Sequence, residues 1–152
     1  MTGTWPTARA NIVTQLNALT ADAGAAYASE TLTALEFPPA AVQTSILPYC
    51  YIIPPGRDAT RRPGRQRVTA FDAVQVRFIL GGQGSNVEAI ATRMEAWIEA
   101  ILDAFDDAVG LDGTADVLQS QGFSGLQTFE NEGWGFEMSL GLRLSETKTF
   151  SA

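Results

Sequence analysis

The order of helical and strand-type patterns along the chain predicts the α+β class, an antiparallel β-sheet with two main helices packed on one face in the order α-β-β-α-β-β. Three observations carry it. Two stretches, one early and one central, place apolar residues at helical spacing. Two long stretches on either side of the central helix alternate apolar and polar residues with period two. Short turn sequences next to the strands suit hairpins rather than the crossovers of a parallel sheet. With 152 residues, 45% of them hydrophobic, a chain buries roughly 68–70% of its unfolded surface, so one domain over 1–152 with a long basic loop at 54–67 is expected.

The first helix is expected over 8–22, where Ala8, Ile12, Leu16 and Leu19 share a face, Thr7 offers an N-cap and Gly24 a stop. The Thr-rich stretch 27–39 ends in Pro38-Pro39 and has room for a short edge strand. Tyr49, Cys50, Tyr51, Ile52 and Ile53, aromatic and β-branched types between Pro48 and Pro54, read as a strand. Residues 56–64 have turn chemistry and nothing apolar larger than alanine, which predicts an exposed loop. A long strand follows over 67–80, with Val68, Ala70, Val74, Val76, Phe78 and Leu80 on one side. Asp72 interrupts that side, and a bulge or a partly covered second face would account for it.

After Gly81-Gly82-Gln83-Gly84, Ser85 and Glu88 form a capping box that opens a helix over 85–105. Its apolar face comprises Val87, Ile90, Met94, Trp97, Ile98, Ile101, Leu102 and Phe105. Residues 126–129 read as a strand and 130–133 as a turn. Trp134, Phe136, Met138, Leu140, Leu142 and Leu144 then alternate as the final strand.

Composition removes several chemistries. With no histidine, imidazole cannot serve as base, proton shuttle or metal ligand. A single cysteine builds neither an internal disulfide nor a cysteine-based metal site, which points to an intracellular or particle-borne protein. The N-terminus lacks a signal-peptide pattern, and the uncharged stretch 37–56 holds five prolines, too many for a spanning helix. A net charge of -7 disfavours general nucleic-acid binding. The glycine-rich turn at 81–84 lacks both the P-loop lysine and the dinucleotide spacing, so it reads as a strand-to-helix turn. Cys50, in an apolar strand, reads as an inert core thiol. No catalytic, cofactor-binding or metal-binding set is expected.

Two charged constellations stand out. At ~100° per residue, Glu88, Glu95, Glu99 and Asp106 fall within about 20° of one line on the central helix, with Asp103 close by. The plain alternative is a solvated helix face. Glu95, Glu99 and Asp103 nevertheless put like charges four apart, at about 0.2–0.5 kcal/mol per pair in an isolated helix. Arg57, Arg61, Arg62, Arg65 and Arg67 make the opposite patch, five arginines in eleven residues with only Asp58 against them. Their plain alternative is a solubilising loop. Both sets are candidate interface residues.

The amphipathic opening helix, the Pro-bounded strand Leu47-Pro48-Tyr49-Cys50-Tyr51-Ile52-Ile53-Pro54-Pro55, the long loop, the strand over 67–80, the helix over 85–105 and the closing strands through Leu144 together resemble the tail-terminator proteins of long-tailed bacteriophages and phage-like particles. The likeness lies in element order, size and composition over most of the chain, without a diagnostic motif. It implies a small subunit of a hexameric ring that ends the tail tube and presents a surface to the head connector. The implied partners are further copies of the chain, the tail tube protein and the head-tail connector protein, with no membrane and no sequence-specific nucleic acid. The implied location is the tail or neck of a virion assembled in the host cytoplasm. Two alternatives remain: a small-molecule-binding or hydrolytic domain built around Trp97, Trp134 and Phe136, and another ring former such as a head-closure or tail-tube subunit.

Overall fold

β6 (Gln66–Gly81) and β9 (Gly133–Thr147) pair antiparallel over nearly their full length and form the spine of the molecule. The computed structural model describes residues 5–21, 30–40, 47–55, 58–62, 66–82, 86–107 and 117–147. Among the described side chains of this pair, the buried apolar ones are Val74, Val76, Phe78, Ile79 and Leu80 of β6 and Phe136, Met138 and Leu140 of β9.

On the free edge of β6 lie β4 (Tyr49–Ile52) and then β5 (Asp58–Arg62), both antiparallel to it. They act as one edge interrupted. Ile53 N–H still donates to the Gln75 carbonyl at 2.9 Å, but Pro54 and Pro55 have no N–H to continue the ladder. β3 (Thr33–Leu35) pairs with β4. On the other edge of β9 lie β7 (Val117–Phe123) and β8 (Gln127–Phe129). These seven strands form one sheet, and β1 (Thr20–Ala21) and β2 (Glu30–Thr31) make a separate antiparallel pair.

The fold is α+β, with corrections to the expected order and strand sense. The β3–β4 pair is parallel, so the sheet is mixed. The thirteen residues between Leu35 and Tyr49 are long enough to return the chain to the same end, which a tight hairpin cannot do. The expected loop over 54–67 is also corrected, because Asp58–Arg62 form β5 and Gln66 and Arg67 open β6. Low apolar content marked this segment as a loop, yet pairing with β6 supplies the backbone partners that its side chains do not advertise.

Helices α1 (Trp5–Asn17) and α2 (Val87–Asp107) share one face of the sheet. Trp5, Ala8, Ile12 and Leu16 of α1 and Ile90, Trp97 and Ile101 of α2 are buried in one cluster with Cys50, Ile52, Val76, Phe78, Phe136 and Met138. A fully buried large apolar side chain is worth roughly 1.5–3 kcal/mol, so these few residues suffice to dock each helix. Because side chains alternate along a strand, Tyr49, Tyr51 and Ile79 project to the opposite face and pack there with Phe129.

The helix ends differ from expectation. α1 starts at Trp5 and stops at Asn17, whose side chain accepts the Ala34 N–H at 2.9 Å and ties the helix to β3. Thr7 lies inside the helix. Ser85 is outside the described residues, and the side chain of Asn86 caps α2 by accepting the N–H groups of Glu88 and Ala89 at 3.0 and 3.2 Å. Val87, expected on the apolar face, is 45% exposed. The irregularity foreseen at Asp72 is present: the register shifts between Phe71 opposite Leu142 and Val74 opposite Leu140, one extra residue on β6. Gly24, expected as the stop of the first helix, and Gln83 and Gly84 of the expected turn lie outside the described residues.

Candidate functional site

The outer face of α2 holds the acidic row. Glu88, Glu95, Glu99 and Asp103 are all exposed, as a helix whose opposite side is buried requires. Asp106 lies within the same helix. Among the described residues none of the four exposed carboxylates has an ion-pair partner. The neighbouring cation Arg93 turns the other way, donating to the Leu80 carbonyl at 2.8 Å.

The arginines fall on a hairpin at the far end of the spine. Arg61 stands opposite Arg67, and Arg62 opposite Gln66, in the β5–β6 pair. Arg67 in turn stands opposite Glu146 of β9. β5 is an edge strand, and charged residues on an edge discourage indiscriminate strand pairing. Arg57 and Arg65 lie outside the described residues. α2 packs against β1, β6 and β9; the acidic row and the arginine hairpin occupy separate elements.

A third cluster lies on the helix-free face and was not singled out from the sequence. Register places Arg77 of β6 opposite both Tyr51 of β4 and Glu137 of β9. Its guanidinium is 3.4 Å from Glu132 and 3.5 Å from Glu137 and lies 4.2 Å over the Phe129 ring. The Tyr51 hydroxyl donates to the Glu132 carboxylate at 2.7–2.8 Å and accepts from Arg77 at 3.2 Å. Glu132 is delivered by the β8–β9 turn, where its N–H donates to the Phe129 carbonyl at 3.0 Å. Asn131 adopts a positive φ of 62° there, a conformation asparagine tolerates.

Burial and the bond to Glu132 push the Tyr51 hydroxyl well above the usual tyrosine range, although Arg77 opposes the shift. It is held as a neutral donor, unsuited to act as a phenolate. For Arg77, burial works against the charge, but Tyr51, Glu137 and Glu132 outweigh it and raise the guanidinium further. Cys50 is fully buried on the opposite face and burial pushes its thiol up, in keeping with a core residue. On the closing strand Phe136 and Met138 are buried and Trp134 is partly so.

Beside this cluster is a cavity of about 230 Å³, lined by Pro38, Pro39, Tyr49, Tyr51, Glu130 and Glu132 among others. Arg9 of α1 positions the chain leading into the two prolines, binding Glu36 at 3.3 Å and lying 4.4 Å over Phe37. The strand character of β4 and the alternation of β6 were visible in the sequence, but the register that joins Tyr51, Arg77 and Glu137 was not. Among the described residues no helix is long and apolar enough to cross a membrane.

The described residues define an α+β protein with a mixed sheet, two helices on one face of it, an exposed acidic row on α2 and a Tyr51–Arg77–Glu132–Glu137 cluster on the other face. No protein-family model matches the chain, and no curated protein matches it.

Proposed function

We propose that the chain is a structural assembly protein of a phage or phage-like particle, a tail terminator whose copies form a ring that caps the tail tube and joins it to the head connector. The particle, the ring of six and the named partners rest on the resemblance in element order and size. The observation that carries the assembly reading is the separation of charge. Arg61 and Arg67 face each other in the β5–β6 pair, while Glu88, Glu95, Glu99 and Asp103 of α2 are exposed and, among the described residues, have no ion-pair partner. A closed ring needs one surface to meet a different surface on the next copy, and oppositely charged surfaces on separate elements meet that need. The arginine hairpin of one copy would contact an acidic surface of the next copy or of an adjoining ring.

The test is the triple variant Arg61→Glu, Arg62→Glu, Arg65→Glu. It should keep the circular dichroism of the parent and lose association in sedimentation and in tube-capping assays. Parent-like particle assembly by this variant overturns the reading. A small-molecule function has the cavity beside Tyr51 in its favour, but small-molecule sites usually occupy about 300–1,000 Å³, and 230 Å³ falls short of that.

A further inference from the structure

We infer that the side-chain amide of Asn17 stands in for a neighbouring strand at the β3 edge of the sheet and closes that edge to strand addition by a second copy of the chain.

β3 is the last strand on its side of the sheet, and among the described residues no strand pairs with its outer side. Successive residues of such a strand send their backbone groups to opposite sides. The Thr33 N–H donates inward to the Pro48 carbonyl at 3.3 Å, so the N–H and C=O of Ala34 face outward. Of Thr33, Ala34 and Leu35, Ala34 is therefore the residue that would offer an incoming strand both a donor and an acceptor. One side chain takes both. The Ala34 N–H donates to Asn17 Oδ1 at 2.9 Å, and Asn17 Nδ2 donates to the Ala34 carbonyl at 3.5 Å. A primary amide carries the same C=O and N–H groups as a peptide unit, which lets it fill a position in a ladder.

That position is the one a strand would fill. β1 runs antiparallel along β2, with Ala21 opposite Glu30 and Thr20 opposite Thr31. Carried on at the same register, the ladder would bring the residue three before Thr20 to the residue three after Thr31, and these are Asn17 and Ala34. The backbone at Asn17 belongs to α1 and cannot extend the ladder, so the side chain does. The run from β2 to β3 is thus lined by β1 at one end and by an amide at the other. Open backbone groups on an edge are a template for pairing with another chain, and Asn17 removes the pair that β3 would present. Aspartate would lack the donor for the Ala34 carbonyl, and alanine would lack both groups.

The experiment uses the full-length chain and two readouts. Hydrogen exchange of the Ala34 amide in dilute solution reports the cap. Sedimentation in high salt, which screens the charged surfaces but not backbone pairing, reports strand addition. Asn17→Ala should speed Ala34 exchange about tenfold, the effect of losing one hydrogen bond, and should self-associate about tenfold or more tightly than the parent. Asn17→Ser, too short to reach, replaces it should that variant lose parent-like circular dichroism. Asn17→Asp keeps the acceptor and should retain most of the Ala34 protection. Adding Ala34→Pro to Asn17→Ala removes the outward N–H and should return association to the parent level; Thr33→Lys, which charges the edge, serves instead should the proline variant fold poorly. Unchanged Ala34 exchange on loss of the amide overturns the cap. Faster exchange without tighter association overturns the closure of the edge, and so does tighter association that blocking β3 leaves intact. Each of these results leaves the charge-based assembly reading standing, because that reading is judged by the arginine variants at low salt.

Discussion

The guanidinium of Arg77 lies 3.4 Å from the carboxylate of Glu132, a residue 55 positions later in the chain. The pair joins the centre of β6 to the turn between β8 and β9, and both side chains are about three-quarters buried, at 27% and 23% exposure. Removing one partner of such a pair leaves the other charge poorly solvated, and that penalty exceeds the net worth of the pair. Arg77→Leu should therefore destabilise the fold by about 1–3 kcal/mol, read as a lower urea midpoint at unchanged slope. Adding Glu132→Gln to it should recover part of the loss. Strictly additive effects of the two changes would show that the groups are not coupled.

Tyr51 makes the same cluster sensitive to alkali. Its hydroxyl is raised above the unfolded value of 10.0 by burial and by the bond to Glu132. Above that value the unfolded chain releases the proton and the folded chain retains it, so stability falls as pH rises. The contribution is fully present below pH ~10 and is lost on approach to the folded value. Tyr51→Phe should flatten the alkaline decline in unfolding free energy and cost about 1 kcal/mol at neutral pH through the lost hydrogen bond. An equally steep decline in the variant would locate the alkaline sensitivity elsewhere.

The legible part of this molecule was the part written in periodicity. Val74, Val76, Phe78 and Leu80, and Phe136, Met138 and Leu140, declare a half-buried strand pair, and all seven are buried. Ile90, Trp97 and Ile101 declare the docked face of α2 and are likewise buried. Short elements carried no such signal. The parallel sense of β3 and the strand character of Asp58–Arg62 come from partners that a local window cannot see. The same limit hid the cluster at Tyr51: each of its residues fits an ordinary polar or aromatic strand position, and only the register across three strands brings Tyr51, Arg77 and Glu137 into line.

The close approach of β6 and β9 places a steric demand on Gly135. A Cβ there would overlap the carbonyl of Phe78, and the group it meets is backbone that cannot swing aside. Gly135→Ala should force the central pair apart and cost about 1–3 kcal/mol or more. Gly122→Ala is the matched control in the same sheet, because its Cβ would meet nothing within 4 Å, and it should leave stability within about 0.5 kcal/mol of the parent. Equal thermal midpoints for the two variants would contradict the packing at Gly135.

The acidic row on α2 should trade stability for recruitment. Glu99 has Glu95 one turn before it and Asp103 one turn after, all exposed, so Glu99→Gln removes two like-charge contacts of about 0.2–0.5 kcal/mol each. The isolated chain should become more stable by a few tenths of a kcal/mol, and added salt, which screens the same repulsion, should narrow the difference. If the row serves a cationic neighbour, as the assembly reading holds, Glu95→Gln with Glu99→Gln should also weaken capture of that neighbour while the monomer gains stability. Opposite signs in the two measurements separate a recruiting surface from a merely solvated helix face, for which stability would change and assembly would not.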